Sequence, residues 1–194
     1  MRTNKQGPET PVKILQYEWE FLSLLDIYKK RKPKKVLEIG SFAGGTLYHW
    51  LQNATVGTHI ISVDTYVSGE DNRSLYDSWK PRGVTLTALC GDSHSEEIKM
   101  QLKLAAPFDW VFIDADHYYD SVKQDWSTYK EMCSGVLVLH DINPIADPSI
   151  EVDRLWGEIR RDGYVIQELL ATNESCGIGV VYLESGTPSE TLPG

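Results

Sequence analysis

The chain predicts an α/β fold with a central, mostly parallel sheet of seven strands, helices on both faces and an antiparallel hairpin at its C-terminal end. Three observations carry this. Short apolar runs alternate with helix-length segments, one run breaks into a glycine-rich turn that opens a helix, and the last two runs stand too close together for a crossover helix. With 194 residues, 41% of them apolar and six of them tryptophan, there is material for one well-filled core, so a single domain over residues 1–184 is expected.

After a polar lead, Thr10 and Pro11 offer an N-cap and a first-turn proline for a helix over about 11–30. Ile14, Leu15, Trp19, Leu22, Leu25 and Tyr28 recur there at helical spacing, and the helix should lie across the sheet or over the mouth of a ligand site. The run Lys29-Lys30-Arg31-Lys32 falls where this helix ends, and its cations complement the C-terminal dipole. Strands are expected over 36–39, 60–63, 84–89, 110–113, 136–139, 164–169 and 178–183. Helix-length segments separate the first five. Only residues 170–177 separate the last two, which should therefore pair as an antiparallel hairpin. Residues 65–83 and 142–148 are longer than connections need to be. Both follow the carboxyl ends of parallel strands, where open α/β sheets place ligands, and are candidates for a substrate lid and wall. Residues 185–194, rich in Ser, Thr, Pro and Gly, read as a disordered tail.

The formal net charge is -9, and no basic block extends beyond residues 29–35, so nothing resembles a phosphate-tracking surface and no nucleic-acid partner is expected. Amino-group methylation of DNA or RNA would need an Asn/Asp-Pro-Pro-aromatic turn after the fourth strand, whereas Asn143-Pro144 follows the fifth and lacks the aromatic residue. Cys90, Cys133 and Cys176 are odd in number, far apart and set among apolar residues, which argues for buried reduced thiols and a cytoplasmic setting. No apolar run approaches transmembrane length, and the first residues lack the hydrophobic stretch of a signal peptide, so no membrane partner is expected.

The most informative stretch is Lys35-Val36-Leu37-Glu38-Ile39-Gly40-Ser41-Phe42-Ala43-Gly44-Gly45-Thr46. It reads as a buried strand, a glycine-rich turn and the start of a helix, which is a nucleotide-binding arrangement. Glu38 would repel a pyrophosphate at this turn and attract a cation, and S-adenosylmethionine carries one. Gly40 and Gly44 let the backbone come close to a ligand, with Ser41 and Phe42 between them. Phe42 stands where a dinucleotide fingerprint has its central glycine, which weakens a dehydrogenase reading. Asp64 ends the second strand, where its two oxygens can hold both ribose hydroxyls. Asp92, after the third strand, either meets the cofactor's adenine end or caps the helix beginning near Ser95.

The second signal is Phe108 through His117, in which Asp114, Asp116 and His117 follow directly on a buried strand. His140 and Asp141 end the next strand on the same edge. Oxygen and imidazole ligands converging from adjacent strand ends suit a hard divalent ion such as Mg²⁺, with Mn²⁺ a second choice. Such an ion could chelate vicinal oxygens of an acceptor and lower a hydroxyl's pKa.

On these residues the chain resembles class I S-adenosylmethionine-dependent methyltransferases. Ile-Asp-Ala-Asp-His over 113–117 and Leu-His-Asp over 139–141 are similar to the group that includes cephalosporin-hydroxylase-like proteins and macrolide-sugar O-methyltransferases, and more distantly to the catechol and caffeoyl-CoA types. The resemblance covers about residues 35–141. It implies a Rossmann-like fold, S-adenosyl-L-methionine bound at Glu38, Gly40, Ser41, Phe42, Gly44, Asp64, Asp92 and Asp114, and metal-ligand carboxylates at Asp114 and Asp141. It also implies a general base at His117. Two departures bear on the metal: His140 replaces the glutamate of the sugar-modifying members, and Ile142 replaces the asparagine of the catechol type, which leaves the third ligand open between His140 and Asn143.

The function expected from this is metal-assisted O-methylation of a small hydroxylated acceptor, a sugar or natural product, with catalytic roles for Asp114 and His117. Two alternatives stay open, an NAD-dependent oxidoreductase and a catalytically inactive cofactor-binding accessory protein. The residues do not decide between a single chain and a homo-oligomer.

Overall fold

The computed structural model describes residues 10–12, 14–65, 70–143, 147, 149–172 and 175–184. Seven strands form one sheet: β1 (Lys35–Ile39), β2 (His59–Asp64), β3 (Thr85–Cys90), β4 (Phe108–Ile113), β5 (Cys133–His140), β6 (Val165–Leu169) and β7 (Ile178–Tyr182). They lie in the order β3-β2-β1-β4-β5-β7-β6. The first five are parallel, and β7 inserts antiparallel between β5 and β6. The expected parallel sheet and closing hairpin are both present.

Strand alternation builds two cores. Leu37, Ile39, Ile61, Val63, Val111, Ile113, Leu137 and Leu139 face α4 (Glu96–Ala105), α5 (Tyr119–Lys130) and α6 (Val152–Arg161). Val36, Ile60, Trp110, Phe112, Val136 and Val138 face α1 (Glu18–Arg31), α2 (Gly45–Gln52) and α3 (Glu70–Trp79). Trp50 centres the second layer, its ring 4.9–5.8 Å from those of Tyr28, Phe21, Phe112 and Trp110.

The first helix departs from expectation at its start and in its face. It begins at Glu18 and not near residue 11, because the preceding segment runs over the sheet edge and is held by Gln16, whose Nε2 donates to Asp114 Oδ2 at 2.6 Å. Thr10 bonds the Val12 carbonyl and caps no helix. Phe21, Leu24, Leu25 and Tyr28 are buried, while Leu15, Trp19 and Leu22 are exposed. Leu25 and Tyr28 are buried as the spacing predicts, while packing against Trp50 and β7 adds Phe21 and Leu24 in place of Trp19 and Leu22. Lys32 in the left-handed region and Pro33 end the helix just after its basic turn.

The long connection after β2 contains α3, whose Tyr76 and Trp79 pack on α2. Residues 66–69 of the expected lid, residues 144–146 and 148 of the expected wall, and the expected tail over 185–194 lie outside the described residues. The thiols are free, but only Cys133 and Cys176 are half-buried; Cys90 is exposed at the end of the outermost parallel strand, contrary to expectation, because no further strand covers it. No helix among the described residues is long and apolar enough to cross a membrane.

Candidate active site

The carboxyl ends of β1 to β5 open into a cavity of about 770 Å³, roofed by Ile14, Leu15 and Gln16. Its sides are the turn after β1, the end of β2, the loop after β3 and the acid and histidine cluster after β4 and β5.

Gly40 (φ +88°) is dictated by close approach within the protein. A Cβ there would overlap the Asp114 carbonyl oxygen and stand 2.7 Å from Ala115 Cα. Gly44 (φ +86°) likewise leaves room for Tyr76, whose ring would lie 2.6 Å from an added Cβ. Beyond the expected approach of backbone to a ligand, these glycines admit the turn after β4 and the Tyr76 ring of α3. Phe42, between them, is also left-handed at φ 46°. Its N–H donates to Asp64 Oδ2 at 2.6 Å and its carbonyl accepts from Tyr76 Oη at 3.2 Å. Asp64 thereby holds the turn while also lining the cavity with Ser41 and Phe42.

Glu38 points to the α2 side and is fully buried beneath the turn, outside the cavity lining. One of its oxygens accepts from the Thr46 hydroxyl and, at 3.1 Å, from Trp50 Nε1; the other has no hydrogen bond. Burial pushes its pKa up to about 8, and the Asp114 and Asp64 carboxylates add to the effect against the two donors. Glu38 therefore is not a fixed anion facing a ligand at neutral pH, and it reaches the cavity through Thr46, which lines it.

Asp92 lines the cavity, and Oδ1 accepts from His94 N at 2.8 Å; the cap of α4 is Ser95, whose Oγ accepts from Ile98 N. His94, unassigned by sequence, stands with Nε2 3.1 Å from Asp125 Oδ1. Burial raises Asp125 to about 6, partly offset by His94 and Ser93.

Strand register brings the acids and histidines together. Ile113 pairs with Leu139, so Asp114 emerges beside His140. His140 Nδ1 stands 3.3 Å from Asp114 Oδ1 and 3.0 Å from Asp141 Oδ2. His117 Nε2 stands 3.5 Å from Asp114 Oδ1 and 3.0 Å from Asp141 Oδ2. Asp141 is left-handed at φ 61°, a conformation an aspartate tolerates at modest cost, and it turns the carboxylate into this cluster.

Burial disfavours charge on both carboxylates, yet the paired imidazoles hold Asp114 and Asp141 below the usual range. His117 is pushed up to about 10 by Asp114 and Asp141 against its own burial. Burial alone would depress His140, but the same carboxylates keep it well above an ordinary imidazole. In the chain by itself, where two anions face it, the charged form of His117 is favoured, and a general base must lose that proton before it acts. His117 also precedes α5, whose cap is Tyr118, and does not sit on its opening turn.

Two cavity residues escaped the sequence reading. Gln16 lies in what looked like helix. Cys176 looked like a core thiol, yet it lines the cavity beside His140 and Asp141. Continuing the antiparallel register past His140 and Ile178 predicts that approach. Asn143, considered as a third metal ligand, directs its Nδ2 to Ser175 O at 2.7 Å. Cation-binding groupings among the described residues are Asp114, His117 and Asp141, and His140, Asp141 and Cys176, each with donor atoms within 4.8 Å of one another.

The doubly wound sheet with its inserted antiparallel seventh strand, and a cavity at its carboxyl edge, define a class I methyltransferase fold. The chain belongs to the methyltransferase-domain family, whose sequence pattern matches residues 37–142, more than half of its length. No curated protein matches it by sequence. Its fold is similar to that of the O-methyltransferase TomG from Streptomyces achromogenes, involved in tomaymycin synthesis and solved with S-adenosylmethionine (16% identity, 89% of this chain and 82% of that one covered, TM-score 0.66). It is also similar to an O-methyltransferase from Bacillus cereus solved with S-adenosylhomocysteine (17%, 84% and 80%, TM-score 0.59). A third is the S-adenosylhomocysteine-bound methyltransferase PaMTH1 of Podospora anserina (16%, 83% and 76%, TM-score 0.56).

Proposed function

We propose that this enzyme transfers a methyl group from S-adenosylmethionine to a hydroxyl oxygen of a small acceptor, with a divalent cation held by Asp114, His140 and Asp141. The observation that carries the reading is the convergence of Asp114, His117, His140 and Asp141 at 3.0–3.5 Å on one side of the cavity. Donors sharing one ion at bonds of about 2.0–2.2 Å are separated by about 3–3.5 Å, so the residues fit a metal. A buried His140, its Nδ1 directed at both carboxylates and its Nε2 without a hydrogen bond, supports the same reading.

In this reading Asp64 accepts from the ribose hydroxyls while keeping the Phe42 turn closed. Ser41 and the first turn of α2 line the methionine end, and Asp92 lies toward the adenine. Leu15 and Gln16 exclude water from above. Bound cation would offset the charge of Asp114 and Asp141, return His117 toward neutral imidazole and acidify the acceptor hydroxyl. His117 Nε2 would hold the hydroxyl proton, and S-adenosylmethionine would supply the methyl group to the oxygen, leaving as S-adenosylhomocysteine. The half-open cavity, lined among the described residues by no lysine or arginine, favours a small hydroxylated molecule over a nucleic acid.

Calorimetric titration with S-adenosylhomocysteine and with NAD tests the cofactor, followed by mass-spectrometric assay of methyl transfer to a panel of catechols, sugars and polyketide alcohols. Binding of S-adenosylhomocysteine alone, with mass gain of one methyl on an oxygen, is expected. Preference for NAD overturns the reading.

A further inference from the structure

We propose that Cys176 completes the metal position and that the site takes a borderline divalent ion, such as Zn²⁺ or Co²⁺, in preference to Mg²⁺. The inference rests on the reading of this cluster as the metal centre of a methyltransferase. It concerns a ligand that lies beyond the stretch matched by the family pattern, which stops at residue 142.

The donor chemistry points this way. Mg²⁺ demands oxygen ligands in near-octahedral geometry and gives up water reluctantly, whereas imidazole and thiolate suit Zn²⁺ and its neighbours. His140, Asp141 and Cys176 each present a donor atom within 4.8 Å of the others, and Asp114 Oδ1 lies 3.3 Å from His140 Nδ1. His140, Asp141 and Cys176 thus offer one nitrogen, one carboxylate and one sulfur around one position, with Asp114 beside His140 and the half-exposed His117 on the acceptor side.

His140 supplies an independent pointer. It is only 5% exposed, its Nε2 has no hydrogen-bond partner, and its Nδ1 stands 3.0–3.3 Å from two carboxylates. A buried imidazole held edge-on to two carboxylates presents its nitrogen where a cation shared with them would sit.

Cys176 is built in from both sides. The Asn143 N–H donates to the Cys176 carbonyl at 2.9 Å, and Asn143 Nδ2 donates to the carbonyl of Ser175. The fully buried Glu20 accepts from Ala171 N at 2.8 Å and Gly177 N at 3.3 Å, so α1 clamps the two ends of the loop that carries the thiol. Metal binding there exchanges the S–H bond for a sulfur–metal bond and releases the thiol proton to solvent.

Chelator-stripped full-length protein is titrated with Zn²⁺, Co²⁺ and Mg²⁺ singly and in competition, with S-adenosylhomocysteine binding followed in parallel. One Zn²⁺ or Co²⁺ should bind and resist about a hundredfold excess of Mg²⁺. The Co²⁺ form should show thiolate-to-metal charge-transfer absorption that Cys176→Ser abolishes, with Zn²⁺ affinity falling at least about tenfold. Should that variant misfold by circular dichroism, wild-type protein decides: Zn²⁺ should protect Cys176, and not Cys90, from alkylation. Displacement of Zn²⁺ by equimolar Mg²⁺, a charge-transfer band that survives Cys176→Ser, or unprotected Cys176 overturns the assignment. Loss of S-adenosylhomocysteine binding or of methyl transfer in metal-loaded wild type overturns the functional reading, and the cobalt spectrum still decides the ligand.

Discussion

Gly40 and Asp114 meet backbone to backbone: the first residue after β1 is pressed on the carbonyl of the first residue after β4, with Gly40 N–H bonded to Val63 O and Asp114 N–H to Ile39 O. The glycine turn after β1 and the Asp114 carboxylate after β4 are thus positioned by one contact that only glycine permits.

Gly40→Ala should accordingly destabilise the fold by at least about 2 kcal/mol, because it combines a positive φ with overlap on backbone that cannot rotate away. Urea unfolding measures this. A change under about 0.5 kcal/mol would mean that the two turns are not in contact.

Asp64→Ala removes both an acceptor for the cofactor and the bond to Phe42 N–H. Charge-assisted hydrogen bonds are worth about 1.5–3 kcal/mol, so S-adenosylhomocysteine affinity should fall by about tenfold or more. Calorimetry on protein shown to be folded is the check, and wild-type affinity would remove Asp64 from the cofactor site.

Glu38 should make stability fall with rising pH. Its carboxyl titrates near 8 in the fold against an ordinary value of 4.5, so the folded chain binds the extra proton between these values. The contribution is fully present below about 4.5 and is lost as pH rises through about 8. His117 and His140 act in the same direction, so the comparison is with Glu38→Gln, which should show a shallower decline over pH 5–8. Parallel wild-type and variant profiles would show that Glu38 is ionised in the fold.

His117→Ala should slow single-turnover methyl transfer by about 10²–10⁴-fold while leaving S-adenosylhomocysteine affinity nearly unchanged. Chelator should likewise stop transfer and spare cofactor binding. Retention of most of the rate, with the wild-type pH profile, would pass the base role to another group.

The strands were legible because parallel strands covered on both faces read as unbroken apolar runs, and the short spacing before β7 allowed only a hairpin. The helix start was not, since Leu15, Trp19 and Leu22 mimic a buried seam that the fold leaves in solvent. Asp114, His117, His140 and Asp141 were found because strand ends advertise themselves. Glu38 was legible as a residue of the turn, but its burial was not: what Trp50 and α2 lay over the carboxyl, and the upward pKa shift this causes, are recorded by no local pattern. Cys176 and Gln16 enter only through the register of β7 and the path of the segment before α1.

The clamp of Glu20 on the loop before β7 has a consequence for how the enzyme comes into being. Glu20 belongs to the first helix and receives N–H groups from residues 171 and 177, so a ribosome must deliver almost the whole of this sequence before that loop can take its place. A nascent chain halted after β5 holds the glycine turn and both carboxylates without Cys176 beside them, and so awaits its last hairpin before that cluster is assembled.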